Sequence, residues 1–195
     1  ISALAISPDG MAIGLCAQTW WARTEAKSRS RKDKKKHNRK RTAKDKETRY
    51  WLDTIKDSSA HADNAGTKLW FVLDREADNK DVLLKLEHSG HRYTVRGSWN
   101  RLIETSGKDK QYLRQWLDAQ VPRGSFSFDV SAAPKRKARR AHMLVCWCRV
   151  TFRLRDRWRK TEQRLELTAV WAREQGTTPP GEKPLDWVLL TNAPV

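Results

Sequence analysis

Acid is the scarce charge in this chain. Its 195 residues hold 23 Asp and Glu against 40 Lys and Arg, a net charge of +17 at pH 7. Cysteine is sparse, with three residues. A small odd number argues against a disulfide framework and for a reducing compartment. Phenylalanine and tyrosine are few, four and three, whereas tryptophan numbers ten. No apolar run approaches the ~20 residues of a membrane-spanning helix. No signal-peptide pattern is visible, so neither secretion nor a membrane partner is expected.

The positive charge comes in two blocks. Residues 23–49 carry 14 Lys and Arg against 4 Asp and Glu, and residues 135–164 carry 12 against 2. Each block is +10, so the rest of the chain is about −3. Such a surplus points to a polyanion, usually nucleic acid and more rarely an acidic membrane. The first block has no apolar period. It reads as a low-complexity loop suited to non-specific phosphate contact, with plain solvated disorder as the compatible alternative.

Residues 1–23 read as a hairpin turning at Ser7-Pro8-Asp9-Gly10. Trp51, Leu52 and Ile55 fall at helical spacing within Thr48 to Lys56. His61 to Gly66 reads as a loop, and no second ligand stands at a sensible spacing to make His61 a metal site. Leu69-Trp70-Phe71-Val72-Leu73 is five large apolar residues unbroken, the pattern of a strand buried on both faces. Asp74 follows at once. Open α/β sheets place ligands at that end of a strand, but Asp is also a good helix cap. Ala77 to Leu86 is helix-compatible, His88-Ser89-Gly90 is a helix stop, and Tyr93-Thr94-Val95 is strand-like.

A short amphipathic helix is expected over 109–118, through Tyr112, Leu113, Trp116 and Leu117. Strands follow. Phe126, Phe128 and Val130 alternate with Ser127 and Asp129. Cys146, Cys148, Val150, Phe152 and Leu154 face one way; Trp147, Arg149, Thr151, Arg153, Arg155 and Arg157 face the other. Leu165, Leu167, Ala169 and Trp171 alternate likewise. This suits an antiparallel sheet with one wet face. A ladder of arginines on that face repels itself, and a nucleic-acid backbone would relieve the repulsion. Cys146 and Cys148 with His142 upstream could suggest zinc; two inward positions on one strand are the simpler account.

Several stretches together resemble a known family. Leu73-Asp74-Arg75-Glu76-Ala77-Asp78 looks like the "DREAD" signature of bacterial DDE transposases of the insertion-sequence-four family, which cut and paste DNA through a hairpin intermediate. Leu15 to Arg23, with Gln18 and Trp20-Trp21, is similar to a strand next to that family's first catalytic strand. Glu47, Thr48 and Trp51-Leu52 resemble its "E-S-x-K-W" helix start, with Tyr50 in place of the usual Lys. Arg96 to Arg101 resembles "V-R-x-x-x-x-R". Gly181 to Thr191 resembles "G-E-x-P-L-x-W-x-L-L-T" closely, followed by Pro194-Val195.

The resemblance implies an α/β fold, a truncated RNase H-like core with an antiparallel β insertion. Residues 1–101 would be the partial core, with the basic loop 23–49; residues 102–180 the insertion; residues 181–195 the return strand. Asp74 would be the second of three metal-binding carboxylates, for Mg2+ or Mn2+. Arg75, Arg96 and Arg101 would lie near phosphate with Arg149, Arg153, Arg155 and Arg157, and Trp187 would help hold a flipped base. The partner would be DNA, the transposon ends; dimerisation is expected of the full-length protein; the compartment would be the bacterial cytoplasm. The family's first Asp and its Glu would lie before residue 1 and after Val195. Two-metal phosphodiester cleavage needs several carboxylates converging on ions ~4 Å apart. Asp74 alone cannot supply them, so the chain by itself is expected to be inactive. A non-catalytic nucleic-acid-binding protein and a decayed transposase remnant remain the alternatives.

Overall fold

The computed structural model describes residues 1–22, 30, 46–105, 110–134, 136–156 and 161–195. The basic segment expected at 23–49 thus lies mostly outside the described residues. The described chain is mixed α/β, with more strand than helix and a mixed sheet. It divides into two compact units, Ile1–Leu69 with Asn79–His91, and Trp70–Asp78 with Arg92–Val195.

In the first unit, β1 (Ser2–Ile6) and β2 (Ala12–Gln18) pair antiparallel, as the turn residues predict. Ser7 Oγ donates to the Asp9 carboxylate, so Asp9 is a turn residue. Leu4, Ile6, Met11, Ile13 and Leu15 all remain more than half exposed. Helix α1 runs over Thr48–Asn64 and buries Thr54, Ile55, Ser58 and Ala62. It continues through His61, where a loop was expected; His61 Nδ1 sits 2.8 Å from the Asp57 carbonyl one turn back. Helix α2 (Lys80–Glu87) starts from Asn79, whose side chain accepts from the Asp81 N–H at 2.9 Å. It buries Val82, Leu83 and Leu86 and stops before Gly90, whose φ of 70° suits a residue without Cβ.

The second unit is one sheet. Its strands are β3 (Trp70–Leu73), β4 (Arg92–Gly97), β5 (Leu102–Ile103), β6 (Gln111–Tyr112), β7 (Gly124–Val130), β8 (Arg139–Asp156), β9 (Thr161–Gln175) and β10 (Asp186–Thr191). The order is β3-β4-β10-β9-β8-β5-β6, with β7 pairing the first half of β8. Only β3 and β4 are parallel; the other pairs are antiparallel. The described strands of the insertion expected at 102–180 share one sheet with β4 and β10. Helix α3 (Leu113–Asp118) buries Leu113 and Leu117. It is shorter than expected, because Gln111 and Tyr112 belong to β6 and residues 106–109 lie outside the described residues.

Alternation in β8 and β9 is as the sequence predicts. Cys146, Val150, Phe152 and Leu154 are buried on one face, opposite buried Leu165, Leu167, Ala169 and Trp171. One expectation fails. β3 is not buried on both faces: Trp70 is 55% and Val72 79% exposed. Trp70 and Val72 share the face that is left open, whereas Phe71 and Leu73 on the other face are partly covered, so the apolar run signals strand propensity and not burial of both faces.

Candidate nucleic-acid interface and carboxylate site

Asp74 ends β3 in extended backbone. Its carboxylate accepts the Arg75 N–H at 2.5 Å, and its carbonyl accepts the Ala77 N–H at 2.9 Å. It is thus the cap of a 3-10 turn, Arg75–Ala77, which separates it from α2. The continuous helix expected from Ala77 is broken there. Asp74 and Arg75 are both exposed. Leu73 pairs with Val95, so the next step of the parallel register sets Asp74 beside Arg96, also exposed.

Asp78 is the residue that sequence reasoning undervalued. It is only 3% exposed, and its side chain is fully buried. Its Oδ2 accepts the backbone N–H groups of Ser98 at 2.7 Å and Trp99 at 3.0 Å, and the Ser98 hydroxyl at 3.3 Å. Its Oδ1 takes the Arg101 guanidinium, which also donates to the Asp78 carbonyl at 3.1 Å. The last acid of the signature hexamer is therefore a bracket. It ties the turn after β3 to the segment after β4. Arg101, expected near phosphate, spends its charge inside this bracket and keeps only 18% of its side chain exposed. The available signal was the pairing of motifs, an acid closing one and an arginine closing the other.

The wet face of the sheet carries the cations. Arg149, Arg153 and Arg155 are exposed on β8, and Trp147 is half-buried on the same side. The ladder is less self-repelling than its sequence implies. Glu162 lies across from Arg155 and accepts from Arg155 and from Arg153, the latter at 2.6 Å. These arginines hold the Glu162 carboxyl below its ordinary range. Arg164 pairs with Glu104 at 2.8 Å. Arg149, opposite Thr168, has no carboxylate partner among the described residues, and neither has Arg96. Arg157 lies outside the described residues.

Trp187 starts β10 on that face, half-buried against Phe128 with ring centroids 5.5 Å apart; Phe128 in turn lies 6.0 Å from Phe126. A small apolar cluster of Val130, Ala141, Met143 and Ala172 supports it. The loop before it is pinned by charge. Arg139 grips Glu174 through two donors, at 2.7 and 2.9 Å, and also pairs with Glu182 at 2.5 Å. Glu174 further accepts the Leu185 N–H at 2.8 Å. The Arg139 guanidinium holds the Glu174 carboxyl down at about 2. Gly181 takes φ 82° just before Glu182, which accounts for the Gly-Glu opening of this stretch.

No family model matches the chain.

The donor set can be tested against the divalent ions that the resemblance implies. Among the described residues, no three His, Cys, Asp or Glu side chains gather to hold a metal. Asp74 offers one carboxylate, and Asp78 spends both its oxygens on the bracket. The described residues do not fit a two-metal centre. Cys146 is buried, and its thiol donates to the Leu117 carbonyl at 3.4 Å, the environment of an inward strand position. No helix among the described residues is long and apolar enough to cross a membrane.

Proposed function

We propose that this chain performs the DNA-binding part of an insertion-sequence DDE transposase, on an RNase H-like arrangement centred on Asp74. The chain's motifs supply the resemblance. The observation that carries the binding reading is the wet face of β8, with Arg149, Arg153 and Arg155 in one row beside Trp147. Arginine on a flat open sheet contacts phosphate oxygens and releases condensed counterions, so affinity falls with salt. Arg75 and Arg96 extend the cationic surface to the Asp74 end. Asp74 would contribute one carboxylate to the site of a complete transposase.

A second reading is a non-catalytic nucleic-acid-binding protein, favoured by Asp78 spending both carboxylate oxygens on the bracket with Ser98, Trp99 and Arg101. Two measurements separate the readings. Filter binding of duplex DNA across a salt series should give a steep negative slope, little changed by Asp74→Ala. A nicking assay with Mg2+ or Mn2+ should show no turnover for the isolated chain; turnover abolished by Asp74→Ala would restore the catalytic reading. Duplex binding that ignores salt would defeat both.

A further inference from the structure

The first unit holds an aromatic and cationic cluster that neither the capping turn nor the sheet explains. Trp21, just beyond β2, stacks on Tyr50 in the first turn of α1, with ring centroids 4.1 Å apart and planes 18° from parallel. The Arg49 guanidinium lies 4.6 Å from the Tyr50 ring centre, and it donates to the Tyr50 hydroxyl at 2.6 Å. Next to Trp21, the Trp20 indole is 83% exposed, the most exposed large apolar side chain described. The sequence joining the two halves of this cluster, residues 23–49, carries net charge +10.

We infer that Trp20 and the Trp21–Tyr50–Arg49 stack form a binding site for unpaired nucleobases, so that the chain holds single-stranded nucleic acid at a place separate from the arginine face. The inference rests on the reading of the chain as nucleic-acid-binding. An open indole beside a stacked aromatic pair offers ring faces to bases, and those faces are accessible only where bases are not paired and stacked on one another. Arg49 beside the platform supplies a cation for the phosphates that accompany the bases. An arginine over an aromatic ring adds cation–π attraction and keeps the pair together while a base docks. Tyr50 stands where the resembled family usually has Lys.

The test uses the whole chain and fluorescence anisotropy at fixed salt. Three labelled probes of equal length are compared: oligothymidine, its abasic counterpart and a duplex. Trp20→Ala and Tyr50→Ala should weaken oligothymidine binding by roughly 5- to 150-fold, the range for losing one stacked base. Both should leave the abasic and duplex probes unchanged, and Trp20→Phe should retain most of the oligothymidine affinity. Trp20 is solvent-facing, so its replacement should keep the wild-type circular dichroism spectrum. Equal losses on all three probes, or no loss on oligothymidine, overturn the site. If the wild-type chain binds no probe, the nucleic-acid reading falls with it; if duplex binding stands and only the oligothymidine prediction fails, this inference alone falls.

Discussion

Asp78 and Arg101 lie 23 residues apart and form a nearly buried ion pair, the carboxylate wholly shielded from water and the guanidinium 18% exposed. Removing one partner of such a pair strands the other charge, at a cost of about 3 to 5 kcal/mol. Asp78→Ala should lower unfolding stability by about that much in urea titration. Asp78→Asn still offers an oxygen to the Ser98 and Trp99 N–H groups and should cost less. Equal stability of Asp78→Ala and wild type would show that the bracket is not formed in solution.

Glu174 gives a pH dependence. Its carboxyl sits at about 2, well below its ordinary 4.5, because Arg139 holds it. A depressed carboxyl contributes stability that is fully present above the unfolded value and is lost as pH falls through the folded value. Thermal unfolding should therefore drop between pH ~4.5 and ~2 in the wild type. Glu174→Gln should be less stable at neutral pH and should show a smaller fall over that window.

The cations of the wet face are not equivalent. Arg149 has no carboxylate partner among the described residues, whereas Arg164 is paired to Glu104 at 2.8 Å. If Arg149 meets a phosphate, Arg149→Ala should reduce the steepness of log K against log salt by about 0.9, and Arg164→Ala should change it less. Filter binding at several salt concentrations measures both slopes. Equal changes would mean that the internal pairs open on binding.

The outermost strand makes a stability prediction. Val72 is 79% exposed, so Val72→Thr should stay within about 0.5 kcal/mol of wild type. Phe152, 1% exposed in the middle of β8, should cost about 3 to 5 kcal/mol when cut to alanine. Urea unfolding of the two variants checks the contrast.

Periodicity revealed what depends on one face of one strand. Cys146 to Leu154 and Leu165 to Trp171 alternate in the sequence because one side of each strand packs and the other meets water. The hairpin turn and the position of Asp74 after a strand were legible for similar local reasons. Burial across the sheet was not. Val72 reads as a core residue beside Trp70 and Phe71, but whether anything packs over its face depends on elements distant in sequence, which a local apolar run does not encode. Asp78 was missed for the same reason. Its partners Ser98, Trp99 and Arg101 are more than 19 residues away, so no local pattern could distinguish a bracket from a surface acid. Glu162 corrected the arginine ladder because cross-strand register, not charge count, determines which repulsions survive.

The register of β8 and β9 runs without interruption from Asp156↔Thr161 to His142↔Gln175. Only residues 157–160 separate the two strands in sequence, so the loop-closure entropy of the first contacts is small and each further pair zips on beside the last. The docking of β10 on β4 joins segments far apart in the chain, as in Leu190↔Val95, and that closure costs more. The long ribbon is accordingly the expected nucleus of the second unit, with the pairing of β10 and β4 formed later. A slow refolding step should be sensitive to changes at Val95 and Leu190 and indifferent to changes at the ribbon's far end.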